Sequence, residues 1–128
     1  MKKILLVLTA MLTLVFTGCK IENSNVTVSV EDTEGSPVAN RGIFYSDLAS
    51  IIIGELVPSP EELATGVSDV WEYAVTNRQG TVVIRIPLGV SKMKYEFLVW
   101  DEGAQQWITK EVELHRGENE EIRFVVNR

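Results

Sequence analysis

The 128-residue chain has one cysteine, one histidine and four prolines, and its 12 basic residues are outnumbered by 18 acidic ones. Each shortage excludes something. With Cys19 alone, no internal disulfide can form and no Cys-rich zinc site can be built. Any Ser-His-Asp arrangement would have to use His115, which stands beside Arg116-Gly117 at a strand end, where an exposed side chain is expected. The acidic excess, formally −6, argues against nucleic acid and anionic headgroups as charge partners. There is no phosphate-binding glycine loop. The acidic turns Asp101-Glu102-Gly103 and Glu118-Asn119-Glu120-Glu121 lack the ligand order of an EF-hand. An enzyme is therefore not expected, and neither a cofactor nor a metal is required.

What is present begins at the first residues. Met1-Lys2-Lys3 precedes an uncharged run from Ile4 to Phe16, which reads as a secretory signal. The run is too short to span a bilayer core, which needs about 20 residues. It leads into Phe16-Thr17-Gly18-Cys19, which resembles the lipobox of bacterial lipoproteins. That resemblance implies diacylglycerol on Cys19, cleavage before it and acylation of the new amino group. One acyl chain binds a membrane marginally, whereas several hold it stably. The expected division is a signal peptide over 1–18, a lipidated tether over 19–25 and one domain over 26–128. Loss of Lys2 and Lys3 leaves ten basic residues against 18 acidic ones, a formal charge of −8. Lys20 stands where enterobacterial lipoproteins retained at the inner membrane have aspartate, so the outer membrane or cell surface is the expected address.

Beyond the tether, period-two alternation dominates. Val26, Val28 and Val30 alternate with Thr27, Ser29 and Glu31, and Asp32 to Pro37 forms a turn. Further strands are expected at Ile43–Tyr45, at Val70–Thr76 and around Val82, Ile84 and Ile86. Met93, Tyr95, Phe97 and Val99 share one face of the next, followed by Ile108, Val112 and Leu114, then Ile122, Phe124 and Val126. Seven strands imply an all-β fold, a seven-stranded β-sandwich.

Val26-Thr27-Val28-Ser29-Val30-Glu31-Asp32, then Gly35-Ser36-Pro37-Val38, Thr76-Asn77-Arg78-Gln79-Gly80, Pro87-Leu88-Gly89 and Tyr95 resemble the signature of carboxypeptidase regulatory-like domains. The resemblance covers most of residues 26–128 and implies a transthyretin-like Greek-key sandwich with a non-catalytic accessory role. It carries over no functional residue. In that family the tyrosine falls closer to the glycine, and the link between the second and third strands is shorter than Ser46 to Asp69.

That longer link, an insertion over 46–69, contains Ser59-Pro60-Glu61-Glu62, a helix start with Ser59 as N-cap, and Gly66 as its end. It reads as a partly helical flap that shields the sheet. The remaining chemistry is aromatic. Strand parity puts Leu98 and Trp100 outward on one strand and Trp107 outward on the next, while Trp71 is expected to be shielded. Trp100, Trp107 and Leu98 are the candidate ligand-binding residues, an outward apolar patch of the kind that marks interaction sites. The function that follows is a membrane-anchored, non-catalytic binding or scaffolding module, with an envelope protein or a glycan as partner. Its alternatives are a structural subunit of an envelope assembly and a small hydrolase using converging carboxylates.

Overall fold

The computed structural model describes residues 21–47, 57–68 and 70–127. The signal segment, Cys19 and residues 48–56 of the insertion lie outside the described residues. Seven strands and one short helix make up the described chain: β1 (Glu22–Asp32), β2 (Gly42–Asp47), α1 (Pro60–Thr65), β3 (Glu72–Val75), β4 (Thr81–Leu88), β5 (Lys92–Asp101), β6 (Gln106–His115) and β7 (Asn119–Val126). They form two sheets, β4-β1-β7 and β3-β2-β5-β6. Every pairing is antiparallel except β1 with β7.

The alternation read from the sequence decides which faces meet. Val26, Val28 and Val30 of β1, Ile84 and Ile86 of β4, and Ile122, Phe124 and Val126 of β7 point into the space between the sheets. Phe97 and Val99 of β5 and Leu114 of β6 meet them from the other side. Burying one such side chain stabilises by roughly 1.5–3 kcal/mol. The apolar face therefore supplies the main cohesion. Pro87 sits in β4, an edge strand, where the missing N–H is tolerated.

β1 begins at Glu22, four residues before the expected Val26, so residues 22–25 belong to the sheet and not to a tether. Their composition is polar because what holds them is backbone pairing with β4 and β7. Ser24 is fully buried and its hydroxyl donates to the Glu118 carbonyl at 3.3 Å. At the other end of the strands, Thr76 is buried, donates its hydroxyl to the Val38 carbonyl (2.8 Å) and accepts from the Arg41 N–H (2.9 Å). Asn77 Oδ1 then accepts from the N–H groups of Gln79 and Thr81, and Gly80 closes the turn at φ +71°.

The sandwich thus has two distinct ends. One gathers the start of β1, the β4–β5 turn and the β6–β7 turn: the Arg116 N–H donates to the Ser91 carbonyl, and the Asn25 N–H to that of Glu118. The opposite end gathers the Asn77–Gly80 turn, the β5–β6 turn and the end of β7. There the Val30 N–H donates to the Gly80 carbonyl and the Gly103 N–H to that of Asn127.

Candidate functional site

The site is built on the outer face of β2 and β5, under the insertion. Ser59 caps α1 as the sequence indicates: its hydroxyl accepts from the Glu62 N–H, and the Glu62 carboxylate accepts from the Ser59 N–H. Gly66 ends the helix at φ +71°. Among the described residues the helix is too short to persist alone, and Leu63 and Val70 tie the segment down against Phe44, Trp71 and Leu98. The flap therefore covers the part of the outer face around Phe44 and Leu98.

This covering corrects one expectation. Leu98 lies on the outer face, as parity requires, but it is fully buried, so it does not belong to an exposed patch. Trp71 is 4% exposed and forms part of the same cluster. Trp100 and Trp107 are direct cross-strand partners, with ring centroids 5.1 Å apart at 72°. Trp107 also sets its edge against Phe44 at 5.9 Å, which draws it toward the covered cluster. Both tryptophans are half-buried. The three candidate residues thus divide: Leu98 supports the sheet from beneath, Trp107 bridges, and Trp100 reaches a groove.

That groove, about 320 Å³, runs between α1 and the ends of β2 and β5. Trp100 and Tyr73 supply its rings, Leu63 and Pro60 its flap side, and Arg41 and Glu102 its polar rim. Tyr73 packs on Phe44 with centroids 4.8 Å apart. Two glycines make room for it: a methyl group added at Gly42 would come within 2.5 Å of the Tyr73 oxygen, and one at Gly66 within 2.6 Å of its ring. Arg41 donates to the Trp100 carbonyl at 3.4 Å and pairs with Glu102 at 3.5 Å, which fixes the guanidinium over the groove mouth. Tyr73 and Arg41 were not singled out from the sequence. A tyrosine in a short strand and an arginine in a turn carry no local signal, and their roles arise only from pairing β3 with β2.

The acidic turn beside the groove is structural. Asp101 is buried, and its carboxylate accepts from the Ala104 N–H and from both the N–H and the side chain of Asn127. Burial opposes its ionisation, yet these donors, with Gly103, hold its carboxyl below the usual range. Two other groups stand apart. His115, Glu118 and Glu120 bring one nitrogen and two oxygen donors within 4.8 Å of one another at the opposite end of the sandwich. Spacing alone did not reveal them because the β6–β7 turn, not a motif, brings them together. The facing carboxylates are Glu96 and Glu111, cross-strand partners on β5 and β6. Burial and then the Glu111 charge push the Glu96 carboxyl up. No protein-family model and no curated protein sequence matches the chain.

Proposed function

We propose that the chain is a lipid-anchored, exported binding module, held to the envelope through Cys19, whose ligand occupies the groove at Trp100 and Tyr73. The observation that carries this is the groove itself: concave, lined by two aromatic rings, and rimmed by a guanidinium–carboxylate pair. Its volume falls at the small end of ligand sites, which suits a compact ring-shaped ligand better than a flat protein epitope. Aromatic faces take the apolar face of a saccharide ring, while Arg41 and Glu102 offer a donor and an acceptor to its hydroxyls. A non-catalytic role agrees with this polar pair being used for positioning.

The anchor reading rests on the Lys2-Lys3 start, the apolar run and Phe16-Thr17-Gly18-Cys19. The transthyretin-like Greek-key reading is supported by the Thr76–Gly80 turn and by the two-sheet order described above. A structural subunit of an envelope assembly is the second reading. It would use the outer face of β4-β1-β7, where Val83 and Val125 are exposed at 58% and 44% on either side of β1.

A glycan array followed by titration monitored through tryptophan fluorescence tests the first reading. Trp100→Ala is expected to weaken binding of any saccharide found at least about tenfold, as loss of an aromatic hot spot does, with cooperative unfolding retained. Binding unchanged by both Trp100→Ala and Tyr73→Ala would place the ligand elsewhere.

A further inference from the structure

The resemblance to a lipobox, taken with the early start of β1, has a geometric consequence. Only Lys20 and Ile21 separate Cys19 from the first residue of the sheet, Glu22. Three extended steps of chain cover about 10 Å. A domain tied this closely cannot choose its orientation freely. We propose that the end of the sandwich formed by Ile21, the β4–β5 turn and the β6–β7 turn rests on the bilayer, and that the Trp100 groove is held away from it. This rests on the anchor reading of Cys19.

The end in question has the surface for such a seat. Ile21 is 63% exposed and Val90, at the tip of the β4–β5 turn, is 48% exposed. The side chain of Ile21 lies beside Gly89, the residue before Val90, so both apolar groups stand at this end. Small apolar groups of this kind enter the interfacial layer, which lies about 5–10 Å deep for peripheral elements. The same end carries Glu22, Glu118 and Glu120, with Glu22 lying against Gly117 of the β6–β7 turn. Lys92 and Arg116 stand at the same end, so acidic and basic side chains largely offset one another there and give no net attraction to an anionic surface. The seat depends on the short tether and the apolar tip, and zwitterionic lipid is its natural partner.

The strand directions then place the groove. β5 runs from the β4–β5 turn to Asp101, so its ten residues carry Trp100 about 30 Å from the seated end. Asn40, Arg41 and Glu102 lie at that same far end. The groove opens to the aqueous phase, and its ligand is a water-borne molecule or a polymer standing off the membrane, not a lipid headgroup of the anchoring leaflet.

A dye placed by cysteine chemistry reads this directly in the full, processed chain. Under the anchor reading the Cys19 sulfur is a thioether, so the unmodified protein takes no thiol reagent and Val90→Cys or Gln79→Cys takes one equivalent. Each labelled protein is reconstituted into phosphatidylcholine vesicles with brominated chains. The dye at position 90 is expected to be quenched several-fold more strongly than the dye at position 79, which lies in the turn at the opposite end. Should Val90→Cys perturb folding, exposed Ser91→Cys reports on the same turn. Equal quenching at the two ends, in protein that floats with the vesicles, overturns the orientation while leaving the anchor intact. Thiol labelling of the unmodified chain, with no flotation, overturns the anchor and the orientation with it.

Discussion

β2 and β5 contribute to two different apolar clusters from alternate residues. Ile43, Phe97 and Val99 enter the space between the sheets, where side chains from β1, β4, β6 and β7 surround them. Phe44 and Leu98, their chain neighbours, face the other way and are closed over by Trp71, Leu63, Val70 and Trp107. The inner cluster is built from strands that grip one another through backbone ladders. The outer one relies on a six-residue helix and a loop that contribute little pairing of their own. Equal burial therefore does not mean equal stability. The outer cluster is expected to open locally without the sandwich unfolding.

Paired truncations put the difference to the largest test. Phe97→Ala is expected to cost about 3–5 kcal/mol in denaturant unfolding, because a close-packed space between two sheets cannot collapse around the gap. Leu98→Ala is expected nearer 2 kcal/mol, at the low end for its type, since the flap above it can settle. Equal losses would mean that both clusters form one cooperative core. Hydrogen exchange sharpens the same contrast. Amides of α1 and of residues 70–75 should exchange through a low-energy opening, while those of β1 and β5 wait for global unfolding. Uniform protection across both would remove the distinction.

Smaller in effect is Ser59→Ala. Loss of the capping box should cost about 1 kcal/mol, expressed as faster exchange in α1 more than as a lower global midpoint. A midpoint shift of that full size, with α1 exchange unchanged, would show the helix to be part of the main unfolding unit.

The smallest effects are electrostatic and have opposite signs. Asp101 is opposed by burial but carried below the usual range by its donors, so its contribution is present above about pH 4 and is lost as pH falls through its folded value. Glu96, pushed up by burial and then by Glu111, favours the protonated native state. The stability it gains at low pH disappears as pH rises from about 4.3 to its raised value. Thermal midpoints measured against pH should show a shallower acid-side slope in Asp101→Asn and a shallower slope just above the usual glutamate range in Glu96→Gln. If Glu96→Gln leaves that upper slope untouched, neither the burial of Glu96 nor the Glu111 charge is felt by the fold.

Much of the sandwich was legible beforehand. The valines of β1, the residue alternation of β4, β5 and β7, the Asn77–Gly80 turn and the Ser59 cap all follow from local rules, because period two, turn dihedrals and cap hydrogen bonds involve neighbours in the chain. The site was legible only in part. Parity puts Trp100 and Trp107 on the same face, and the register makes them direct partners. Parity also puts Leu98 there, yet it could not show that Leu63 and Val70 would lie over it.

The residues by themselves determined the all-β class, the side of β1 and of β4 to β7 that turns inward, the short helix with both its caps and the signal-like start. Tertiary structure decided that Glu22 to Asn25 are strand, since unremarkable polar residues pair through their backbones once β4 and β7 lie beside them. It also decided that Leu98 is covered while Trp100 borders a groove with Tyr73 and Arg41. Alternation names the face on which a side chain emerges. What lies across from that face is supplied by segments distant in the chain, and only their packing settles it.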